Sequence, residues 1–296
     1  MRRGLGRTAS GFDLFAAAFM LLVAFVTFYP FWNLGVISLN DAQDSMRGGL
    51  TFWPRLFSAA SYESILHGNA DILGAMGMSL RRTVLGTVLN VSVTAWLAYV
   101  LSRKEFVLRK FLTRYLVVTM YISAGLIPVY LLYRNLGLLN SFAVYVAPHL
   151  LSAYNVILVL TYIGGLPASL IEAAQIDGAG YGRVFARIVL PLILPVLATI
   201  TLFIAVWQWS QWQDTYFFAS RNKALSTLQF EMMKIITSNT AQLTEQQKRD
   251  PNARSAVTSQ SLQAAMVMIA TLPILMVYPF VQKYFIKGMT LGSVKE

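Results

Sequence analysis

Cysteine is absent from this chain of 296 residues. That excludes a disulfide framework and thiolate metal ligation, and no metal site is expected. Histidine occurs twice, and 13 acidic side chains stand against 24 Lys and Arg. The scarce acids are also placed away from the apolar stretches: Asp13, Glu105, Glu172, Asp177, Asp214 and Glu231 fall near or outside their predicted ends. A proton- or sodium-coupled carrier keeps such groups inside the membrane as relays, so ion coupling is not expected. His149 is the one titratable group near the interior of an apolar stretch, and after Pro148 it reads as a hydrogen bonder at a helix start rather than a relay. Neither His67 nor His149 has a visible nucleophile or acid-base partner, so the chain is not expected to be an enzyme. No G-x-x-x-x-G-K-[ST] phosphate loop occurs, so ATP is not bound here by that device and its hydrolysis would belong to another chain.

What is abundant is apolar sequence. Hydrophobic residues make up 56% and charged residues only 12%, well outside the composition of a soluble domain. A hydrocarbon core of roughly 30 Å takes about 20 helical residues. Runs of that length lie near 14 to 37, 79 to 101, 111 to 133, 141 to 163, 188 to 210 and 263 to 285. The expected fold is therefore an all-α polytopic membrane protein with six transmembrane helices. The first run follows Arg2, Arg3 and Arg7 but exceeds the roughly 7 to 15 apolar residues of a signal peptide, so it reads as a retained span. Arg103, Lys104, Arg109, Lys110 and Arg114 crowd the connection between helices two and three, whereas the next connection offers only Arg134. The positive-inside rule then predicts both termini in the cytoplasm, with Lys283, Lys287 and Lys295 inside. The formal charge of +11 partly reflects these loops, and no nucleic-acid partner is expected.

Between the fourth and fifth runs lies a polar interruption, and its punctuation is dense. Gly164 and Gly165 break the preceding helix, and Pro167 suits a first helical turn. Leu170, Ile171 and Ala174 then recur on one helical face, with Glu172 and Gln175 pointing elsewhere. Gly178, Gly180 and Gly182 allow the chain to reverse before Arg183 to Ile188 resumes a helix, and Pro191 and Pro195 mark entry into the next span. The expected product is a helix-turn-helix knob outside the bilayer, with small Ala173, Ala174 and Ala179 permitting close approach by another surface. An ordinary interfacial helix pair is the plainer reading.

Glu172-Ala173-Ala174, Gly178 after three residues, then Ile188, Leu190 and Pro191 after nine more, resembles the EAA loop of ABC importer membrane subunits. With Asp177, Ala179, Phe185 and Pro195 the stretch is similar to the carbohydrate-uptake permeases of the maltose-permease G type. Ser79-Leu80 with Thr83, Leu97-Ala98-Tyr99 through Arg103, Ile127-Pro128 with Asn135 to Leu138, and Tyr284 to Gly288 resemble further stretches of that family. Thr161-Tyr162 departs from it, since family members often carry an Arg shortly before the loop. The resemblance implies a cytoplasmic coupling loop between helices four and five, with Glu172 against a dimer of ABC ATPase subunits that hold ATP and Mg. It also implies a homologous permease partner in a heterodimer, an extracytoplasmic solute-binding protein, and a place in the cell's inner membrane. No cofactor is expected on this chain. A non-sugar solute for the same kind of importer is the alternative function, and an ion-coupled carrier the more distant one.

Residues 1–74 would then comprise an amino-terminal tail, the first span and an external segment. Residues 75–287 would form the permease core with an external loop near 215–260, and 288–296 a cytoplasmic tail. Within that loop Leu228 to Ile236 reads as amphipathic and Thr237 to Ser261 as strongly polar, suited either to contact with a binding protein or to plain solvation. For the substrate path, Thr83, Thr87, Asn90 and Thr94 form a polar stripe on helix two, facing either a lumen or a packed helix. Trp207, Gln208, Trp209, Gln211, Trp212 and Asp214 mix rings and amides at the end of helix five, suiting saccharide passage or an interfacial aromatic belt. Tyr121, Tyr154 and Asn155 are further candidates. Arg81 and Arg82, placed at the outer mouth of helix two, allow an acidic oligosaccharide.

Overall fold

The computed structural model describes residues 11–49, 52–67, 72–235, 237 and 257–291, with side chains in the last stretch described through Met276 and at Pro279. The described residues are mostly helical and contain no strand; one isolated bridge pairs Asn40 with Phe57. They fall into two compact units, one within 1–70 and 235–271 and the other within 71–234 and 272–296.

The first unit holds α1 (Gly11–Ser38), α2 (Ala42–Met46), α3 (Ala60–Leu66) and the start of α13 (Ser259–Leu291). Its connection between α1 and α3 is ordered by hydrogen bonds rather than by apolar burial. Asp41 caps α2 by accepting from the backbone N–H groups of Gln43 and Asp44, both at 3.0 Å. The Asn40 side chain accepts from Leu56 N at 2.8 Å and donates to Asp44 Oδ2 at 3.0 Å. Arg55 Nε donates to the same carboxylate at 2.9 Å. The Asn40 hydrogen bond, joined by Arg55, holds the Asp44 carboxyl below its ordinary pKa against the opposing effect of desolvation.

The second unit is built on α4 (Ile72–Ser102), α8 (Ala153–Gly164) and α11 (Leu190–Ser210). Small Ala95 and Ala98 on α4 let the helices approach closely, and Val156, Val159, Ile193 and Ile200 fill the seam. Around this trio lie α5 (Arg109–Thr119), α6 (Leu126–Asn135), α7 (Ala143–Val146), α9 (Ala168–Ile176), α10 (Tyr181–Val184) and α12 (residues 228–235).

Among the described residues four helical stretches are long and apolar enough to cross a membrane: Gly11–Ser38, Ile72–Ser102, Tyr181–Ser210 and Ser259–Met276. A fifth results if Ala143–His149 and Ala153–Gly164, bent by 45°, are one span. The third expected run, 111 to 133, instead divides into α5 and α6. The break follows from local chemistry. Gly125 takes φ +80°, which is closed to most side chains, and Pro128 can sit only in the first turn of α6. The fourth run divides because Pro148 shapes a single 3-10 turn, after which Ser152 caps α8 by accepting from Asn155 N at 3.4 Å. Ser152, not His149, is therefore the hydrogen bonder at that helix start.

Candidate functional site: an exposed helical loop and a polar cleft

The polar interruption between α8 and α11 forms the expected helix and turn. Gly165 ends α8, Pro167 is the N-cap of α9, and α9 closes in a Schellman turn. In that turn Gly178 N donates to Gln175 O at 3.0 Å and Ala179 N to Ala174 O at 2.9 Å, with Gly178 at φ +77°. Of the three loop glycines only Gly178 has this left-handed conformation; Gly180 lies at φ −67° and Gly182 is inside α10, so the expectation that all three serve the reversal is corrected. From Tyr181 the chain is helical through a π-helical turn, Phe185–Val189, into α11.

The loop is anchored along one line and open elsewhere. Ile171 is buried and Ala174, Ala179, Phe185, Ile188 and Leu190 are half-buried, while Glu172, Ala173, Asp177 and Pro191 are exposed. Leu170, expected on the inward face, is exposed too, and Ile176 is 86% exposed. Tyr99 of α4 fixes the far end of the turn. Its hydroxyl donates to Tyr181 O at 3.0 Å, and its ring lies 5.1 Å from that of Phe185. A rigid turn thus presents a carboxylate and uncovered apolar side chains together, which is the chemistry of a protein-docking surface.

The second feature is a cleft of about 390 Å³ between α4, α8 and α11. Asn90, Asn155, Trp207 and Gln208 from the expected substrate path line it, together with His149 and Ser152. The imidazole of His149 packs edge-on to the Trp207 indole at 4.6 Å between centroids. Amide groups beside an indole face can bind the hydroxyls and the apolar face of a sugar ring at once. The Asn90 side chain donates to His149 O and accepts from Thr94 Oγ1 at 3.2 Å, so the cleft wall is cross-braced.

Behind the cleft lies a buried ionic cluster. Arg82 is 0% exposed. Its guanidinium donates to the Asp214 carboxylate, to Gln208 Oε1 at 2.8 Å and to Gln211 O at 3.4 Å, and lies 4.7 Å over the Tyr145 ring. His149 Nε2 stands 3.4 Å from the same Asp214 carboxylate. Arg82 therefore cannot serve as the exposed cation at a helix mouth that the sequence suggested, because its charge is countered inside the fold; Arg81 is exposed.

The remaining candidates do not converge on the cleft. Tyr121 is exposed in the break between α5 and α6, and Tyr154 is exposed on α8. Trp209 is buried, and Trp212, half-buried, packs with Tyr216 at 6.0 Å. In the helix-two stripe, the Thr83 and Thr87 hydroxyls are buried without a hydrogen-bond partner among the described residues, and only Asn90 reaches the cleft. Most of that stripe is a packing seam rather than a lining. Most of the polar stretch Thr237 to Ser261 lies outside the described residues, whereas in α12 Leu228, Phe230 and Met232 are buried. His149 and Tyr99 are not among the expected site residues. The Trp207 ring beside Gln208 is the sequence signal that lies nearest the cleft.

Long apolar helices, an exposed helical loop between two of them and a polar cleft in the bundle define a multi-pass membrane transport subunit. The chain belongs to the binding-protein-dependent transport system inner membrane component family, which matches over residues 90–291. Members are permeases rather than enzymes. The chain is 32% identical over 285 residues to the polygalacturonan/rhamnogalacturonan transport system permease protein YtcP of Bacillus subtilis (strain 168), covering 96% of this chain and 98% of that one. It is also 32% identical over 284 residues to protein LplC of the same organism, covering 96% and 95%. Among solved structures it resembles a chain of a bacterial ABC transporter involved in the import of the acidic polysaccharide alginate, with a TM-score of 0.77 and 25% identity over 96% of this chain and 100% of that one.

Proposed function

We propose that this chain is one permease subunit of an ATP-driven importer for an oligosaccharide with uronate character. The observation that carries the substrate class is its likeness, along nearly its whole length, to a permease named for polygalacturonan and rhamnogalacturonan. The fold it shares with a chain of an alginate importer supports the same class. A solute-binding protein outside the cell delivers the saccharide, and a homologous permease completes the pathway. Two ABC ATPase subunits bind ATP and Mg. With α5 and α6 taken together as one broken span and Ala143–His149 with α8 as another, the chain crosses the inner membrane six times with both termini in the cytoplasm, so that the α9 loop faces the ATPases.

In this mechanism ATP-driven closure of the ATPase dimer moves the α9 loop, with Glu172 as the docking carboxylate and Gly178 holding the turn rigid. Tyr99 and Phe185 tie that loop to α4 and α11, the two helices whose seam bears the cleft. Movement at the loop is thus passed to the cleft walls, where Asn90, Asn155 and Gln208 meet saccharide hydroxyls and Trp207 meets a ring face. Reconstitution of the importer in vesicles, with uptake of labelled oligogalacturonate set against neutral oligosaccharides of equal length, tests the reading. Preferential uptake of the acidic series supports it, and uptake of neither series removes the substrate class.

A further inference from the structure

The segment that follows α1 does not leave the helix for water. It folds back along it. The Trp32 indole N–H donates to Phe52 O at 2.9 Å, the Trp53 ring meets Trp32 edge-on at 5.8 Å, and the Phe52 ring meets Tyr29 edge-on at 5.8 Å. Tyr29 and Trp32 precede the end of α1, Ser38, by about 14 and 9 Å of helix at 1.5 Å per residue. A helix of 28 residues is about 42 Å long and so exceeds a hydrocarbon core of roughly 30 Å. Its uncharged, apolar stretch from Leu14 to Trp32 is roughly as long as that core, which puts Trp32 at the edge of the core, against the headgroups.

At that depth the fold-back exposes apolar side chains. Trp53 is 72% and Phe57 74% exposed, with Leu56 and Phe52 uncovered beside them. The single charge in the stretch, Arg55, turns away to Asp44 Oδ2 and to Gly48 O. The geometry is also fixed, since Asp41 N donates to Leu56 O at 2.7 Å and Ser58 N to Leu39 O at 2.9 Å. A fixed edge of tryptophan, leucine and phenylalanine, with its one charge paired to Asp44, matches the composition of a membrane interface.

We infer that residues 52–57 form an interfacial anchor whose Trp53, Leu56 and Phe57 side chains insert among lipid headgroups and upper acyl chains beside α1. The inference goes beyond the transport reading and depends only on α1 crossing the bilayer. The absence of cysteine makes the test direct. Trp53→Cys, Phe57→Cys and, at the exposed last residue of α2, Met46→Cys are each spin-labelled in the complete importer reconstituted in phosphatidylcholine–phosphatidylglycerol vesicles, with the signal of the unsubstituted complex subtracted. At 53 and 57 the ratio of oxygen to nickel-chelate collisions is expected to exceed that at 46 severalfold. A ratio equal to that at 46 would place the segment in water, and protection from both reagents would mean that another protein chain covers it; either result overturns the anchor. Phe57→Cys removes no ring contact to α1, so it reports even if loss of Trp53 loosens the fold-back.

Discussion

Arg82 on α4 donates to the carboxylate of Asp214, a residue 132 positions later and just past the end of α11. The pair is a clasp between two helices that bear the cleft, and it sets His149 against Asp214 on the cleft side. Taking one partner from a buried pair leaves an uncompensated charge, at a cost of about 3–5 kcal/mol. Asp214→Ala should therefore lower thermal stability sharply. Replacing both residues, as Arg82→Met with Asp214→Leu, should cost much less than the sum of the single changes. Melting the purified protein in detergent measures this, and additive losses would mean the two charges do not interact.

Gly86 is required by the same seam. A Cβ there would lie 2.4 Å from Gln208 Nε2 and 2.8 Å from Gln208 Cδ. The Gln208 side chain is itself held by Arg82, so it cannot yield freely. Gly86→Ala should destabilise by about 1–3 kcal/mol, the ordinary cost of overpacking. Gly86→Ala with Gln208→Ala should recover much of the loss, and no recovery in a melting comparison would assign the cost to something other than this contact.

The three loop glycines should behave differently. Gly178 is at φ +77° with nothing within 4 Å of where a Cβ would stand, so alanine there meets backbone strain alone, about 1–2 kcal/mol. Gly180 and Gly182 have ordinary φ and open space. Gly178→Ala should lower substrate-stimulated ATPase activity several-fold, while alanine at 180 or 182 leaves it nearly unchanged. Equal effects at all three positions would contradict the assignment of the turn to Gly178.

In the cleft, Trp207→Ala and Asn155→Ala should weaken uptake several-fold at low saccharide concentration with little change in ATP hydrolysis in the absence of substrate. Uptake titrations on vesicles separate the two effects. A fall in basal hydrolysis alone would place these residues in the transmission of movement rather than in contact with the sugar.

The α9 loop was legible in the sequence because its determinants are local: a pair of glycines, a capping proline and one glycine whose conformation other residues resist. The long apolar helices were legible for the same reason, through length alone. The division of the third run was not, since apolar residues continue on both sides of Gly125 and the left-handed backbone at that residue appears only in the fold. The Thr83 to Thr94 stripe shows a different limit. Helical spacing states that the residues share a face, but whether that face meets a lumen or α11 depends on Gln208, more than a hundred residues away. Arg82 likewise reads as a free cation until its partner is in place.

The central claim is that Glu172 on α9 transmits ATPase motion to the cleft, and Glu172 is exposed, so its replacement should leave the fold intact. The most direct measurement is saccharide-stimulated ATP hydrolysis by the reconstituted importer, native against Glu172→Lys, with oligogalacturonate and neutral oligosaccharides in turn. The account predicts stimulation by the acidic series and its loss in an assembled Glu172→Lys complex. Normal stimulation in that variant would contradict it.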